Sequence, residues 1–366
     1  MNRKLLSALI ASTVATPLAV TAETTLYGRL DLALENRDFD DYTVTNGAKG
    51  AETKVADGWD VRNQTSRIGV KGSEDLGGGL KALFQAEWAF EGAEGGSFAS
   101  EGANDGSEGN GQRVFRNRLA YAGLGGNWGT GTLGRQWTPY YSAVNQVDVF
   151  NLSGDNVQYL GTYRTGNSIA YKSPNWNGFS GAVLLEIDEK NNVDVTKKKK
   201  GVDGWNLGLN YKNGPVSLGL GYLDRPEAGG SPVGSQPTGQ YQMTGISGSY
   251  RWTHFKLVGV YENGKVPLSS STTSSTTADL SEWSVLGEGY FGNHLVRALY
   301  SQTGKDGDGD YWGLGYQYNF SKRTRVYVEY LDGERIDHDS FARTASTLSY
   351  DVEEGPRLGL GIRHYF

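Results

Sequence analysis

The chain has 366 residues, with 35 basic against 41 acidic side chains, no cysteine, 53 glycines, 22 tyrosines and 9 tryptophans. The acidic balance excludes a nucleic-acid binder, and the lack of cysteine excludes a disulfide framework. Nothing after residue 22 approaches the ~20 apolar residues of a membrane helix, while glycine at about twice its usual ~7% share points to many short strands joined by tight turns.

Residues 1–22, "MNRKLLSALIASTVATPLAVTA", read as a secretory signal peptide. Arg3 and Lys4 precede an apolar run from Leu5, and Val20-Thr21-Ala22 places small side chains where a signal peptidase reads, so cleavage is expected after Ala22. The remainder, 23–366, is expected to be a single β-domain. Without Arg3 and Lys4 it holds 33 basic residues against 41 acidic ones, a net charge of −8.

The segment "TLYGRLDLALE" opens the exported chain. Leu26, Gly28, Leu30, Leu32 and Leu34 fall on one face, and Tyr27, Arg29, Asp31 and Glu35 on the other. Period-two alternation means a strand with one apolar and one polar face. In a soluble sandwich the apolar face points inward; in a membrane barrel it faces lipid and the polar face lines water.

Seven pairs of such strands follow, each joined by a tight turn. "SRIGVKG" and "LKALFQAEWAF" flank Ser73–Gly79, and "RNRLAYAGL" and "TLGRQW" flank "GGNWGTG". "NSIAYKS" and "FSGAVLLEI" flank "PNWNG", and "WNLGLNY" and "VSLGLGYL" flank "KNGP". "QMTGISGSY" and "FKLVGVYE" flank "RWTH", "EWSVLGEGYF" and "LVRALYSQ" flank Gly292-Asn293-His294, and "YWGLGYQY" and "TRVYVEYL" flank "NFSKR". Between the pairs lie longer polar stretches: Asn36–Asp60, Gly92–Gln112, Thr138–Gly166, Asp188–Asp203, Asp224–Gln240, Asn263–Ser281, Thr303–Asp310 and Asp332–Gly355. These read as exposed loops.

Seven hairpins with the first and last strands make sixteen. Short turns alternating with long loops, on an even strand count, predict an all-β, sixteen-stranded antiparallel transmembrane barrel with short periplasmic turns. Closure satisfies every backbone group in lipid, which an open sheet cannot do. The final "LGLGIRHYF" is the closing strand, expected to pair with "TLYGRLDLAL" and remove both edges. Its outward face is Leu358, Leu360, Ile362, His364 and Phe366, so the terminal Phe366 is expected at the periplasmic aromatic girdle and at barrel closure.

The segments "TLYGRLDLALE", "SRIGVKGSEDLGGGLKALFQAEW", "RNRLAYAGLGGNWGTGTLGRQ" and "GIRHYF" resemble the general diffusion porins of Gram-negative bacteria over essentially the whole exported chain, the neisserial and other proteobacterial members most of all. His364 departs from the Tyr that many members carry third from the end. The resemblance implies an outer-membrane homotrimer embedded in lipid and lipopolysaccharide, with a terminal Phe read by the assembly machinery. It implies a channel for passive diffusion of ions and small hydrophilic solutes, with no cofactor and no enzymatic activity. It also implies that the third loop, "WTPYYSAVNQVDVFNLSGDNVQYLGTYRTG", folds into the barrel and narrows it. By matching, Asp148 is the acidic constriction residue; the position of a second acid is Leu152, and Asp155 is the substitute. The facing basic wall maps to Arg29, Arg67, Arg118 and Arg164.

Arg29 and Arg67 also fall on the polar faces of their strands by alternation alone. Fixed cations facing fixed anions across a water-filled neck bias ion selectivity. Four arginines against one or two acids lean toward anions, while the acidic stretches Asp38–Asp41 and Asp306–Asp310 at the mouth lean toward cations. The expectation is weak cation selectivity.

A substrate-selective channel of the same fold is the alternative, with Trp137, Tyr140, Tyr141 and Tyr159 as a sugar-stacking track; packing of those rings against the wall is the plainer reading. Lys197–Lys200 reads as a solvated charge run in a loop that could meet lipopolysaccharide phosphates. "DGDGD" lacks the glycine and the glutamate of a calcium loop, with Tyr311 and Gln317 in those positions, so no metal is expected. The glycine pairs Gly219/Gly221 and Gly359/Gly361 lie within strands and relieve crowding there. His254, His294, His338 and His364 form no nucleophile–base arrangement.

Overall fold

The computed structural model describes residues 23–45, 48–93, 115–152, 159–187, 201–228, 239–267, 277–305, 309–343 and 348–366. The signal peptide, most of the second loop, Asp155, Lys197–Lys200 and Asp306–Asp308 lie outside the described residues.

The first strands are β1 (Glu23–Thr45), β2 (Ala48–Lys49), β3 (Thr53–Asn63), β4 (Arg67–Gly77), β5 (Leu80–Phe90), β6 (Phe115–Gly126) and β7 (Gly129–Trp137). A helix, α1 (Pro139–Val144), and the short β8 (Arg164–Thr165) separate β7 from β9 (Ser168–Lys172). The chain continues through β10 (Phe179–Glu186), β11 (Gly204–Asn213), β12 (Val216–Ala228), β13 (Gly239–Arg251), β14 (Phe255–Pro267) and β15 (Thr277–Phe291). It ends with β16 (His294–Lys305), β17 (Gly309–Asn319), β18 (Thr324–Arg343), β19 (Leu348–Glu354) and β20 (Arg357–Tyr365).

These segments make sixteen staves. β3 and β4 both pair along one side of β1 and act as a single stave joined through Gln64–Ser66. β19 and β20 do the same along the other side of β1, joined through Gly355 and Pro356. β2 and β8 are two-residue additions to β1 and β7. Every other neighbour in the ring is antiparallel, and β1 against β20 closes it. The seven hairpins and the terminal pairing therefore stand where alternation and turn chemistry predict them. One of the two-residue turns is Gly78–Gly79, whose φ values of 61° and 82° suit glycine.

The first and eighth polar stretches differ from expectation. β1 runs on to Thr45, β3 starts at Thr53, and β1 pairs with β19 from Asp40↔Glu354 to Thr45↔Ser349. Much of what reads as loop is thus strand. These extensions carry polar residues such as Asp40, Asp41 and Thr43, so no strict alternation marks them; the backbone ladder sustains them together with side-chain contacts, among them the buried register partners Tyr42 and Val352 and the Lys49–Glu354 ion pair at 2.7 Å.

The radial order of side chains is the reverse of a soluble protein. Leu26, Leu30, Leu34, Leu358, Leu360 and Ile362 point outward and are exposed, while Asp31, Glu35, Arg357 and Arg363 point inward and are buried. Aromatic pairs band the outside near the loop end, at Trp205–Tyr222 (4.8 Å), Trp283–Tyr300 (5.3 Å) and Trp312–Tyr330 (5.2 Å). A second band lies near the turn end, at Phe179–Tyr211 (4.4 Å), Tyr250–Trp252 (4.5 Å) and Tyr318–Phe320 (5.0 Å). Two aromatic belts around an apolar zone are the signature of a strand-built membrane span.

Candidate functional site: the lumen and its inward loop

The third loop enters the barrel behind α1. Thr138 caps this helix by accepting a hydrogen bond from the Tyr141 amide (3.1 Å), and Pro139 occupies its first turn, where no amide is missed. Tyr140, Ala143 and Val144 are buried against the wall. The Tyr140 amide donates to Asn206 Oδ1 on β11 (2.6 Å), the Tyr140 hydroxyl to Glu262 on β14 (2.9 Å), and Ser247 on β13 donates to the Ala143 carbonyl (2.6 Å).

Beyond α1 the loop reaches the next staves. Arg297 on β16 donates to the Val149 carbonyl (2.7 Å). The amides of Asn151 and Leu152 both donate to Glu329 Oε2 on β18 (2.6 and 2.9 Å), and Asn151 Nδ2 donates to the other oxygen (2.6 Å). On the way back the Leu160 amide donates to Glu262 Oε2 (3.2 Å), and the Tyr241 hydroxyl donates to the Leu160 carbonyl. Two buried wall carboxylates, Glu262 and Glu329, thus staple the loop by its backbone.

The loop hugs the half of the wall built from β11 to β18, reaching β20 where Leu152 packs on Gly359. The remaining arc carries the predicted arginines: Arg29 on β1, Arg67 on β4 and Arg118 on β6. Arg118 owes its direction to a bulge. Glu87 pairs with Leu119 and Trp88 with Asn117, so Arg118 is the extra residue between them. With Tyr121 and Leu119 inward, strict alternation would aim Arg118 at lipid; the bulge turns it to the lumen, where its Nε meets Glu87 at 2.6 Å. Glu87 also accepts from the Tyr27 hydroxyl (3.0 Å) and lies 3.7 Å from Arg67.

The structure joins five of the predicted residues in one chain of contacts. The Arg118 guanidinium lies 5.8 Å from the Trp137 ring and that of Arg164 4.6 Å. Trp137 stacks on Tyr141 at 4.6 Å and 15°, and the Tyr141 hydroxyl donates to Asp148 (3.1 Å). Burial first, then the Asp148 carboxylate, push the Tyr141 hydroxyl up, so it stays a neutral donor. Arg164 is pushed down to about 10, by burial and then by Arg118 and Arg135, and remains charged at neutral pH.

Two placements differ from the sequence reading. Arg164 stands on β8, in the loop's return and not on a wall stave, and Trp137 is the last residue of β7 and not of the loop. Arg29 sits apart from the contact chain. It donates to the Thr65 carbonyl (2.9 Å) and lies 3.8 Å from Asp31, which Arg363 approaches to 2.6 Å. The aromatic loop residues pack on one another, with Tyr141 against Tyr159 at 5.8 Å and Tyr163 at 5.1 Å. Trp137 has Tyr141 and Arg164 at its ring, so these rings are engaged in packing within the loop.

Sequence reasoning missed Arg135, Arg297, Arg363, Glu87, Glu262 and Glu329. Alternation signals several of them: Arg363 lies between outward Ile362 and His364, and Glu87 between Ala86 and outward Trp88. Their partners are set by the closed barrel and leave no local trace.

The sequence profile of the Gram-negative porin family matches residues 7–336. The major outer membrane protein P.IA of Neisseria meningitidis serogroup C is 29% identical, over 89% of this chain and 92% of that protein. Outer membrane porin protein 32 of Delftia acidovorans is 28% identical, over 82% and 85% respectively. Among solved structures, the anion-selective porin from Comamonas acidovorans superposes with a TM-score of 0.65 at 22% identity, covering 94% of this chain and 100% of that one. The trimer form of OmpT from Vibrio cholerae does so with a TM-score of 0.60 at 17% identity, covering 94% and 99%.

Proposed function

The chain belongs to the Gram-negative porin family, and from that premise we propose how its channel works. It is an outer-membrane porin, a closed sixteen-stave barrel for passive diffusion. The neck lies between the inward loop bearing Asp148 and the arc bearing Arg29, Arg67 and Arg118, with Arg164 beside them on the loop's return. The observation that carries this reading is the loop's stapling to one half of the wall by Glu262 and Glu329, which leaves the arginine arc facing the remaining lumen.

The neck is net positive. Arg29, Arg67, Arg118, Arg135, Arg164 and Arg363 outnumber Asp31, Glu87 and Asp148. Mouth charges in open water are screened over about 10 Å at 0.1 M salt, whereas neck charges flank the ion's path. The reading is therefore a weak preference for anions, opposite to the one drawn from the acidic loops.

The chain works as a homotrimer in lipid and lipopolysaccharide, as the trimer form of the similar OmpT fold suggests. Phe366 supports a role at closure: its amide donates to the Gly28 carbonyl and its carbonyl accepts from the Gly28 amide, both at 3.2 Å, while its ring faces outward. That exposed ring is what the assembly machinery reads.

The test is single-channel recording in planar bilayers under a salt gradient, for wild type and Asp148→Asn. Ohmic steps in groups of three, with a reversal potential shifted further toward anions in the variant, are expected. A folded barrel that passes no current refutes the channel; an unshifted potential removes Asp148 from the neck.

A further inference from the structure

Four glycines on the inner wall lie directly beneath α1. Gly208 on β11 is the register partner of Gly221 on β12, and Gly221 is in turn the partner of Gly245 on β13; Gly219 lies two residues along β12. Glycine inside a strand is less stable than alanine would be. None of the four has the positive φ that would demand glycine. Backbone conformation therefore does not explain the row, and clearance does.

A methyl group on Gly208 would fall 2.7 Å from the Pro139 carbonyl carbon, and one on Gly219 would fall 2.7 Å from that of Ala143. On Gly221 it would meet Val144 Cγ2 at 2.6 Å and Tyr140 Cδ2 at 2.7 Å; on Gly245, Tyr140 Oη at 2.5 Å and Val144 Cγ1 at 2.7 Å. Ordinary carbon contacts are about 3.5–4.0 Å. At two of the four positions the obstacle is backbone, which no rotamer change can move aside. Gly259 on β14 and Gly287 on β15, by contrast, have no atom within 4 Å of such a methyl.

We propose that Gly208, Gly219, Gly221 and Gly245 form a fitted seat that sets how far α1 stands into the lumen, which makes them size-determining positions although they line no part of the open neck. The seat rests on the reading that the inward loop narrows the channel. Glycine in a strand marks a close backbone approach. The wall is hydrogen-bonded on both sides of every stave, whereas α1 is six residues on a loop. An added methyl therefore moves the helix toward the axis and not the wall toward lipid.

The experiment is single-channel conductance and the exclusion size for graded neutral polymers, on the full protein reconstituted in bilayers. Gly219→Ala and Gly245→Ala are expected to lose conductance and exclude smaller polymers. Gly259→Ala and Gly287→Ala, which change the same residue type without touching the loop, are expected to match wild type. Adding Val144→Ala to Gly245→Ala removes the methyls that the new side chain meets and is expected to restore part of the lost conductance. Should Gly219→Ala fail to fold, the Gly245→Ala pair decides. Seat variants that conduct and exclude like wild type overturn the seat, as do controls that lose as much. Asp148→Asn in the same bilayers separates the two ideas: a reversal potential that responds to it while the seat variants stay silent refutes the seat alone, and one that ignores it while the seat variants lose conductance removes Asp148 from the neck and keeps the seat.

Discussion

Asp31 and Arg363 face each other across the seam where the first and last staves meet, as register partners whose side chains close to 2.6 Å inside the barrel. Asp31 also accepts from the Tyr327 hydroxyl (3.1 Å) and from Thr65. Removing one member of a buried ion pair typically costs about 3–5 kcal/mol, because the other charge is left uncompensated. Asp31→Asn and Arg363→Met are each expected to destabilise the barrel by about that amount. The midpoint of heat or urea unfolding, followed by the gel shift between folded and unfolded barrel, measures it. Arg363→Lys, which keeps the charge and loses the fork, should fall between.

Neutralising the arginine arc should move the channel toward cations. Arg118→Gln, alone and with Arg164→Gln, is expected to shift the reversal potential stepwise in that direction, and Glu87→Gln in the opposite one. The shifts should shrink as salt rises from 0.1 to 1 M, where the screening length falls from about 10 to about 3 Å. A salt-independent shift would point to altered pore geometry instead of charge.

Glu329 holds three donors of the loop, and a polar group left unpaired costs about 1–3 kcal/mol. Glu329→Ala is therefore expected to loosen the loop and raise open-channel current noise, with intermittent larger conductance. Glu329→Gln keeps an acceptor oxygen and should be quieter. Power spectra of the open-channel current compare the two.

The rings of Trp137, Tyr141, Tyr159 and Tyr163 are engaged with one another and with Arg164. Neutral oligosaccharides are expected to leave the current unblocked at micromolar concentration. Current block by sugar at that level would restore the substrate-selective reading.

The staves were legible because lipid on one side and water on the other impose a strict period of two, as in "TLYGRLDLALE". Where both sides are polar, as at Asp40–Thr43, that contrast vanishes and strand reads as loop. Arg29 and Arg67 follow from alternation, but Arg118 does not, since its inward aim depends on a bulge opposite Glu87 and Trp88. Of the glycines beneath α1, Gly219 and Gly221 read from the sequence as relief of crowding; what crowds them is a helix contributed by residues 139–144, which no local pattern can announce.

The loop's course also has a mechanical side. It leaves the wall at Trp137, touches β11, β13, β14, β16 and β18 in turn, reaches β20 at Gly359, and rejoins β7 through β8. A hollow cylinder one backbone thick is soft against flattening under lateral pressure. A segment bonded to so many staves around half the perimeter acts as an internal hoop, so the residues proposed to narrow the opening also keep its cross-section round.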